Sequence, residues 1–217
     1  MIEKIVIENF KCFNGRFELE FNKDINILVG NNGVGKSTII EAIHMALSGT
    51  FKGKGIKSSL NEYFFNRKIV EEYLKDIVNS EKPKILIELY VNSKKFPNLQ
   101  GDDFKHSKNY DDAISGISLI IEFDEEEHNE ELNELISDKN QQLTTLPVEW
   151  YKVEWKTFAR KKISSINIPI KSSFIDISNG NNFMSESNLS RIIRNTLEEK
   201  DKMKISQSFR SLKQKFS

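Results

Sequence analysis

The chain has 217 residues, with 32 basic and 32 acidic side chains, so no overall charge points to a polyanionic partner, and its length allows one large domain or one and a half. The single cysteine, Cys12, excludes an internal disulfide and suits a reducing cytoplasm, and no His/Cys cluster offers a structural zinc site. No apolar run is long enough to span a membrane, and the N-terminus, with Glu3 and Glu8, lacks the apolar stretch of a signal peptide, so a soluble cytoplasmic protein is expected.

Residues 2–7 read as a β-branched strand, and Asn14-Gly15 is a tight-turn signal. Beyond it Phe17, Leu19 and Phe21 alternate with Glu18 and Glu20, which predicts an antiparallel hairpin. Ile25, Ile27, Leu28 and Val29 then form a short apolar run suited to a strand buried on both faces. Residues 30–38 read Gly-Asn-Asn-Gly-Val-Gly-Lys-Ser-Thr, matching G-x-x-x-x-G-K-[ST], with Gly30, Gly35, Lys36 and Ser37 in the defining places. Ile39, Ile40, Ile43, Ala46 and Leu47 follow at helical spacing, and Gly49 marks a stop.

This pattern predicts a strand, a phosphate-binding loop and a helix. Glycines at 30, 33 and 35 let the backbone take positive φ and come close to an anion. The N–H groups of Asn31, Asn32, Gly33, Val34 and Gly35 can then converge on phosphates, helped by the positive end of the helix. Lys36 would stabilise β- and γ-phosphate charge, the Ser37 hydroxyl would ligate Mg²⁺, and Thr38 can donate to the α-phosphate. ATP and Mg²⁺ are therefore the expected cofactors.

Further on, residues 49–55 form a Gly/Lys loop, and Tyr63, Phe64, Ile69, Tyr73, Leu74 and Ile77 suggest a helix. Strand signals recur at 85–91, 117–123 and 148–158, the last alternating as a half-exposed antiparallel strand does. Nine acidic residues between Glu122 and Asp138 read as a solvated loop and helix face. From about Ser185 the pattern turns helical, and Ile205, Phe209, Leu212 and Phe216 make an apolar stripe that either packs back on the domain or awaits further sequence. Its eight basic residues from Arg191 to Lys215 form either a solvated face or a DNA-touching one. His44, on the helix after the loop, reads as a core or surface histidine.

A cassette-type ATPase also needs an acidic strand end to order Mg²⁺ and a Ser-Gly signature. Residues 119–125 offer an apolar run ending in Asp124 and Glu125, but Glu122 interrupts it, as in a half-exposed strand. Leu47-Ser48-Gly49 closes the helix after the loop and cannot also be the signature. The hydrolytic half is not expected within these residues.

Residues 5–13 together with 26–43 resemble the N-terminal lobe shared by RecF, SMC and OLD-family ATPases, through Asn32 before Gly33 and the Asn9-Phe10-Lys11 element. The middle of the chain looks most like OLD-family ATP-dependent endonucleases and their AAA relatives. The resemblance implies an α/β P-loop NTPase lobe whose sheet is parallel at the nucleotide and antiparallel beside it. It further implies Lys11 near the nucleotide, though a solvent-facing lysine reads almost as well, and a role in DNA repair or phage defence. In that family a helical insertion, the signature, the acidic motif and often a nuclease domain follow, so the expected division is a lobe at 1–184 and the start of an insertion or docking helices at 185–217. The implied partners are a second copy in an ATP-dependent dimer or a missing C-terminal half, with DNA engaged by the full assembly and no membrane. Two other readings stay open: a nucleotide-gated interaction module, and a self-sufficient phosphotransferase using Asp124 or Glu125 on Mg²⁺.

Overall fold

The computed structural model describes residues 2–101, 114–137, 143–175, 200, 201, 203 and 204. The chain divides into a unit at Met1–Ile170 and a second at Lys171–Ser217. The apolar stripe from Ile205 to Phe216 lies outside the described residues.

β1 (Ile2–Glu8) and β2 (Arg16–Glu20) form the expected hairpin, with Ile5 opposite Leu19 and Ile7 opposite Phe17. After the phosphate loop come α1 (Lys36–Ser48), a small hairpin of β3 (Thr50–Phe51) and β4 (Lys54–Gly55), α2 (Ile56–Ser59) and α3 (Arg67–Lys75). Lys52 and Gly53 both take positive φ, 48° and 80°, at the tip of that hairpin, the conformation that tight two-residue hairpin turns require. β5 (Ile85–Val91), β6 (Gln100–Gly101), β7 (Ile114–Phe123), α4 (Glu125–Ser137), β8 (Tyr151–Thr157) and β9 (Lys162–Ile163) complete the order.

The main sheet runs β2-β1-β5-β7-β8-β9, with β6 also on β7, and every pairing among the described residues is antiparallel. Strand period 2 sorts its side chains by face. Ile5, Ile7, Ile85, Ile87, Leu89, Ile117, Leu119 and Ile121 line the inner face and are fully buried. Ala42, Met45 and Ala46 of α1 belong to the same core. The indole Nε1 of Trp155 donates to the Ala46 carbonyl at 3.0 Å, fixing the C-terminal half of α1 to β8. Gly49 ends the helix as expected, at φ 70° with its N–H on the Met45 carbonyl.

The opposite face carries ion pairs around a small buried cluster of Val6, Tyr90 and Phe158. Glu88 is buried beside that cluster with 6% exposure, its carboxylate 3.8 Å from Arg16 and accepting from the Tyr90 hydroxyl at 3.2 Å. Burial holds the Glu88 carboxyl above its ordinary pKa and pushes the Tyr90 phenol up as well.

The α/β class holds, but the parallel portion expected at the loop does not form among the described residues. Residues 25–29 form no strand, and Ile25, Ile27 and Val29 are 83%, 80% and 88% exposed. A strand buried on both faces needs neighbours on its edges and layers on its faces, and only Leu28 of this run packs against the core. Tyr63 also departs from expectation: the predicted helix begins as a turn of 3₁₀ helix at Glu62–Phe64 that leaves Tyr63 exposed, and α3 follows separately.

Candidate nucleotide site

The loop and helix predicted from the sequence are both present. Gly33 and Gly35 take φ of 83° and 98°, the left-handed region that a side chain resists. Gly35 stands at the N-cap of α1, where no side chain caps the helix and no acidic residue occupies the first turn. The first helical N–H groups are thus left for an external acceptor, beside the positive end of the helix. Asn31, Asn32, Gly33, Val34 and Ser37 are exposed, while Lys36 and Thr38 are half-buried.

Lys36 folds back over the loop, its Nζ donating to the carbonyls of Gly30 at 2.8 Å and Asn31 at 2.6 Å. Neutral carbonyls bring no counter-charge that would compete with a phosphate for this side chain. The donor set of loop amides, one lysine and a hydroxyl at Ser37 fits a nucleoside triphosphate with Mg²⁺, which needs few protein ligands because it retains water. Among the described residues no group of three or more His, Cys, Asp or Glu could hold a metal by itself.

The element at Asn9-Phe10-Lys11 packs beneath the loop. Asn9 and Lys11 both have positive φ, 61° and 51°. Cys12 Sγ lies 3.7 Å from Thr38 Oγ1, and a Cβ built on Gly35 would come within 2.8 Å of the Phe13 ring and 3.0 Å of Cys12 Sγ. Lys11, expected near the nucleotide, has its ammonium on Glu41 of α1 at 2.5 Å. Glu41 carried no signal in the sequence beyond its place one turn after Ser37.

The carboxylates considered for Mg²⁺ are engaged elsewhere. Asp124 pairs with Lys152 at 3.4 Å and Glu125 with Lys82 at 2.8 Å, while Glu122 pairs with Lys84 at 2.7 Å. Glu122 and Glu125 line a cleft against α4, whereas Lys36 and Ser37 border a different one. His44 is a core histidine, its Nε2 3.3 Å from Ser48 Oγ and 3.4 Å from Thr50 Oγ1. The cleft beside Lys36 and Ser37, about 680 Å³, has apolar walls from Ile2, Phe21, Ile27, Leu28, Ile40 and Ile43.

A family described as an AAA domain matches residues 4–216. The chain belongs to that AAA domain family. It is similar to structural maintenance of chromosomes protein 6 of Saccharomyces cerevisiae, 40% identical over 32% of this chain and 6% of the relative. It is also similar to the DNA double-strand break repair Rad50 ATPases of Methanopyrus kandleri, 51% identical over 22% of this chain and 5% of the relative, and of Saccharolobus solfataricus, 38% identical over 40% and 9%. The chain therefore spans less than a tenth of the length of these relatives. Among solved structures, one from work on ATP-driven dimerization and DNA-stimulated activation of SMC ATPases aligns over 96% of this chain and 98% of its own, at 14% identity and a TM-score of 0.44. As a member of this family the chain is an AAA domain similar to SMC and Rad50 proteins, and among its described residues no helix is long and apolar enough to cross a membrane.

Proposed function

We propose that this chain binds ATP with Mg²⁺ through Gly33–Thr38 as the nucleotide-binding lobe of an OLD/RecF-like ATPase acting on DNA in repair or phage defence. The observation that carries the reading is the loop itself: two glycines in the left-handed region, a helix N-terminus without a side-chain cap and a lysine held by two loop carbonyls. Lys36 stabilises phosphate charge and abstracts no proton, and Mg²⁺ beside Ser37 would neutralise charge on the phosphate oxygens. The DNA-repair role of the Rad50 relatives supports the DNA assignment.

Hydrolysis requires a Ser-Gly signature and an acidic motif from a second copy or another segment. The apolar run at residues 25–29, unpaired among the described residues, and the adjoining apolar cleft support such completion, since exposed isoleucines beside an apolar cleft suit a covering partner. The pairing of Asp124 with Lys152 and Glu125 with Lys82 speaks against a self-sufficient phosphotransferase. The same exposed segment favours, as a second reading, a module whose docking to a partner is gated by nucleotide.

The test is Mg-ATP binding and turnover by the purified chain, with Lys36→Ala as control. Binding without turnover is expected, weakened on the order of ten- to a hundredfold in the variant, the equivalent of a lost charge-assisted hydrogen bond. Absence of binding by a folded wild-type chain would overturn the assignment. Turnover abolished by Asp124→Asn would instead establish a self-contained enzyme.

A further inference from the structure

The bend at residues 9–13 is built with more care than a connection between β1 and β2 requires. Two non-glycine residues with positive φ, each costing about 1 kcal/mol or more, sit two apart in the chain. Each is held in place. The Asn9 side chain accepts from Gly15 N at 2.9 Å and donates to the Lys84 carbonyl at 3.0 Å. Lys11 N donates to the Phe64 carbonyl at 2.9 Å, and Asn66 Nδ2 donates to the Lys11 carbonyl at 2.8 Å.

The outcome of this geometry is a surface pressed against the phosphate loop. The Phe13 ring, stacked on Phe17 at 4.4 Å, occupies the space where a side chain at Gly35 would stand, and Cys12 abuts Thr38. One long-range ion pair ties the bend to the helix that begins at the loop: Lys11 to Glu41, with side chains 26% and 20% exposed. The ammonium also lies 4.7 Å from the Phe51 ring centroid, which limits the directions it can take.

We propose that this bend is the support that sets the shape of the phosphate loop, and that Glu41 is a positioning residue, acting through Lys11, that clamps the bend to α1. The role assigned to Lys11 is structural tension on the loop, distinct from direct contact with phosphate. The inference rests on the nucleotide reading of the loop for its consequence, and on the Lys11–Glu41 pair for its cause.

The experiment compares the full chain with Lys11→Glu, Glu41→Lys and the exchanged pair K11E/E41K, using two readouts. The first is Mg-ATP affinity. Each single variant should lose about tenfold, having placed like charges together, and the exchange should recover to within about threefold of wild type. The second needs no nucleotide: the rate at which the only thiol, Cys12, is alkylated. Cys12 is exposed, with its Sγ 3.7 Å from Thr38 Oγ1, so loss of that contact should change the rate in either single variant and the exchange should restore it.

Recovery on exchange in either readout supports the clamp, because a residue acting only as a phosphate ligand could not be rescued by a partner on α1. If K11E loses binding, E41K does not, and the exchange stays defective, Lys11 is a direct phosphate ligand and the clamp is overturned. Wild-type alkylation rates in all three variants would overturn it equally. Should the wild-type chain bind no nucleotide, the functional assignment fails alone and the alkylation rates still decide the clamp.

Discussion

At the scale of single residues, Gly33 and Gly35 of the loop carry different constraints. Gly33 has φ 83° and no atom within 4 Å of a built Cβ, so Gly33→Ala meets only the left-handed backbone penalty, about 1–2 kcal/mol. Gly35→Ala meets that penalty and a collision with Phe13 and Cys12 as well. Nucleotide affinity, measured by titration, should therefore fall further in G35A than in G33A, and equal losses would contradict the packing described beneath the loop. Glu88 offers a test by pH. Its folded-state pKa is raised by burial above the ordinary 4.5, so the native state binds the extra proton and stability falls as pH rises through the interval above 4.5. Glu88→Gln removes that proton and should flatten the melting temperature against pH in this interval, whereas a curve parallel to wild type would mean that Glu88 ionises freely. The Arg16 guanidinium beside it limits the size of the effect.

At the scale of elements, most of the lobe is legible because alternation and helical spacing report burial. Phe17, Leu19 and Phe21 lie half-buried between exposed Glu18 and Glu20, Gly49 ends α1, and Ile87, Leu89, Ile117, Leu119 and Ile121 fall on the inner face as their alternation implies. Periodicity says that a residue seeks burial without saying what covers it, and residues 25–29 show the difference. Their apolar run reads as a core strand, yet within this chain it lacks a paired neighbour among the described residues. The contacts of Lys11 with Glu41 and of Phe13 with Gly35 escape the sequence for another reason: they join positions tens of residues apart, and local pattern carries no distance information of that kind. The exposed run leads to a prediction. Ile27→Lys with Val29→Lys should leave the melting temperature within a degree or two, since both side chains are exposed, and should reduce concentration-dependent association seen by light scattering. A marked loss of stability would show that these side chains are covered in solution.

At the scale of the whole molecule, equal numbers of basic and acidic residues give no field to hold a polyanion. The polar sheet face carries paired charges, Lys84 with Glu122, Lys152 with Asp124, and Lys156 and Lys162 with Glu154. The lobe alone should therefore bind duplex DNA weakly at physiological salt, as fluorescence anisotropy would report, with affinity gained only in a larger assembly. Tight, salt-resistant binding by the isolated chain would assign the DNA surface to this lobe directly. Ligand linkage gives a further measure at this scale. Mg-ATP at a hundred times its dissociation constant should stabilise the whole fold by about 2.7 kcal/mol, and the Lys36→Ala variant, weakened on the order of ten- to a hundredfold, should gain only about 0.4–1.4 kcal/mol at the same concentration.

The backbone of residues 25–34 makes no hydrogen bond to another backbone group among the described residues, while β2 and α1 on either side are anchored in the core. Such a stretch opens without disturbing the sheet. Its amide protons should trade with solvent deuterium orders of magnitude faster than those of β1, β5 and β7, whose exchange waits for global unfolding. Weakly protected backbone thus lies where the loop is proposed to present its amides to phosphate, and protection appearing there first, ahead of any change in the sheet, would be the earliest sign of an arriving ligand.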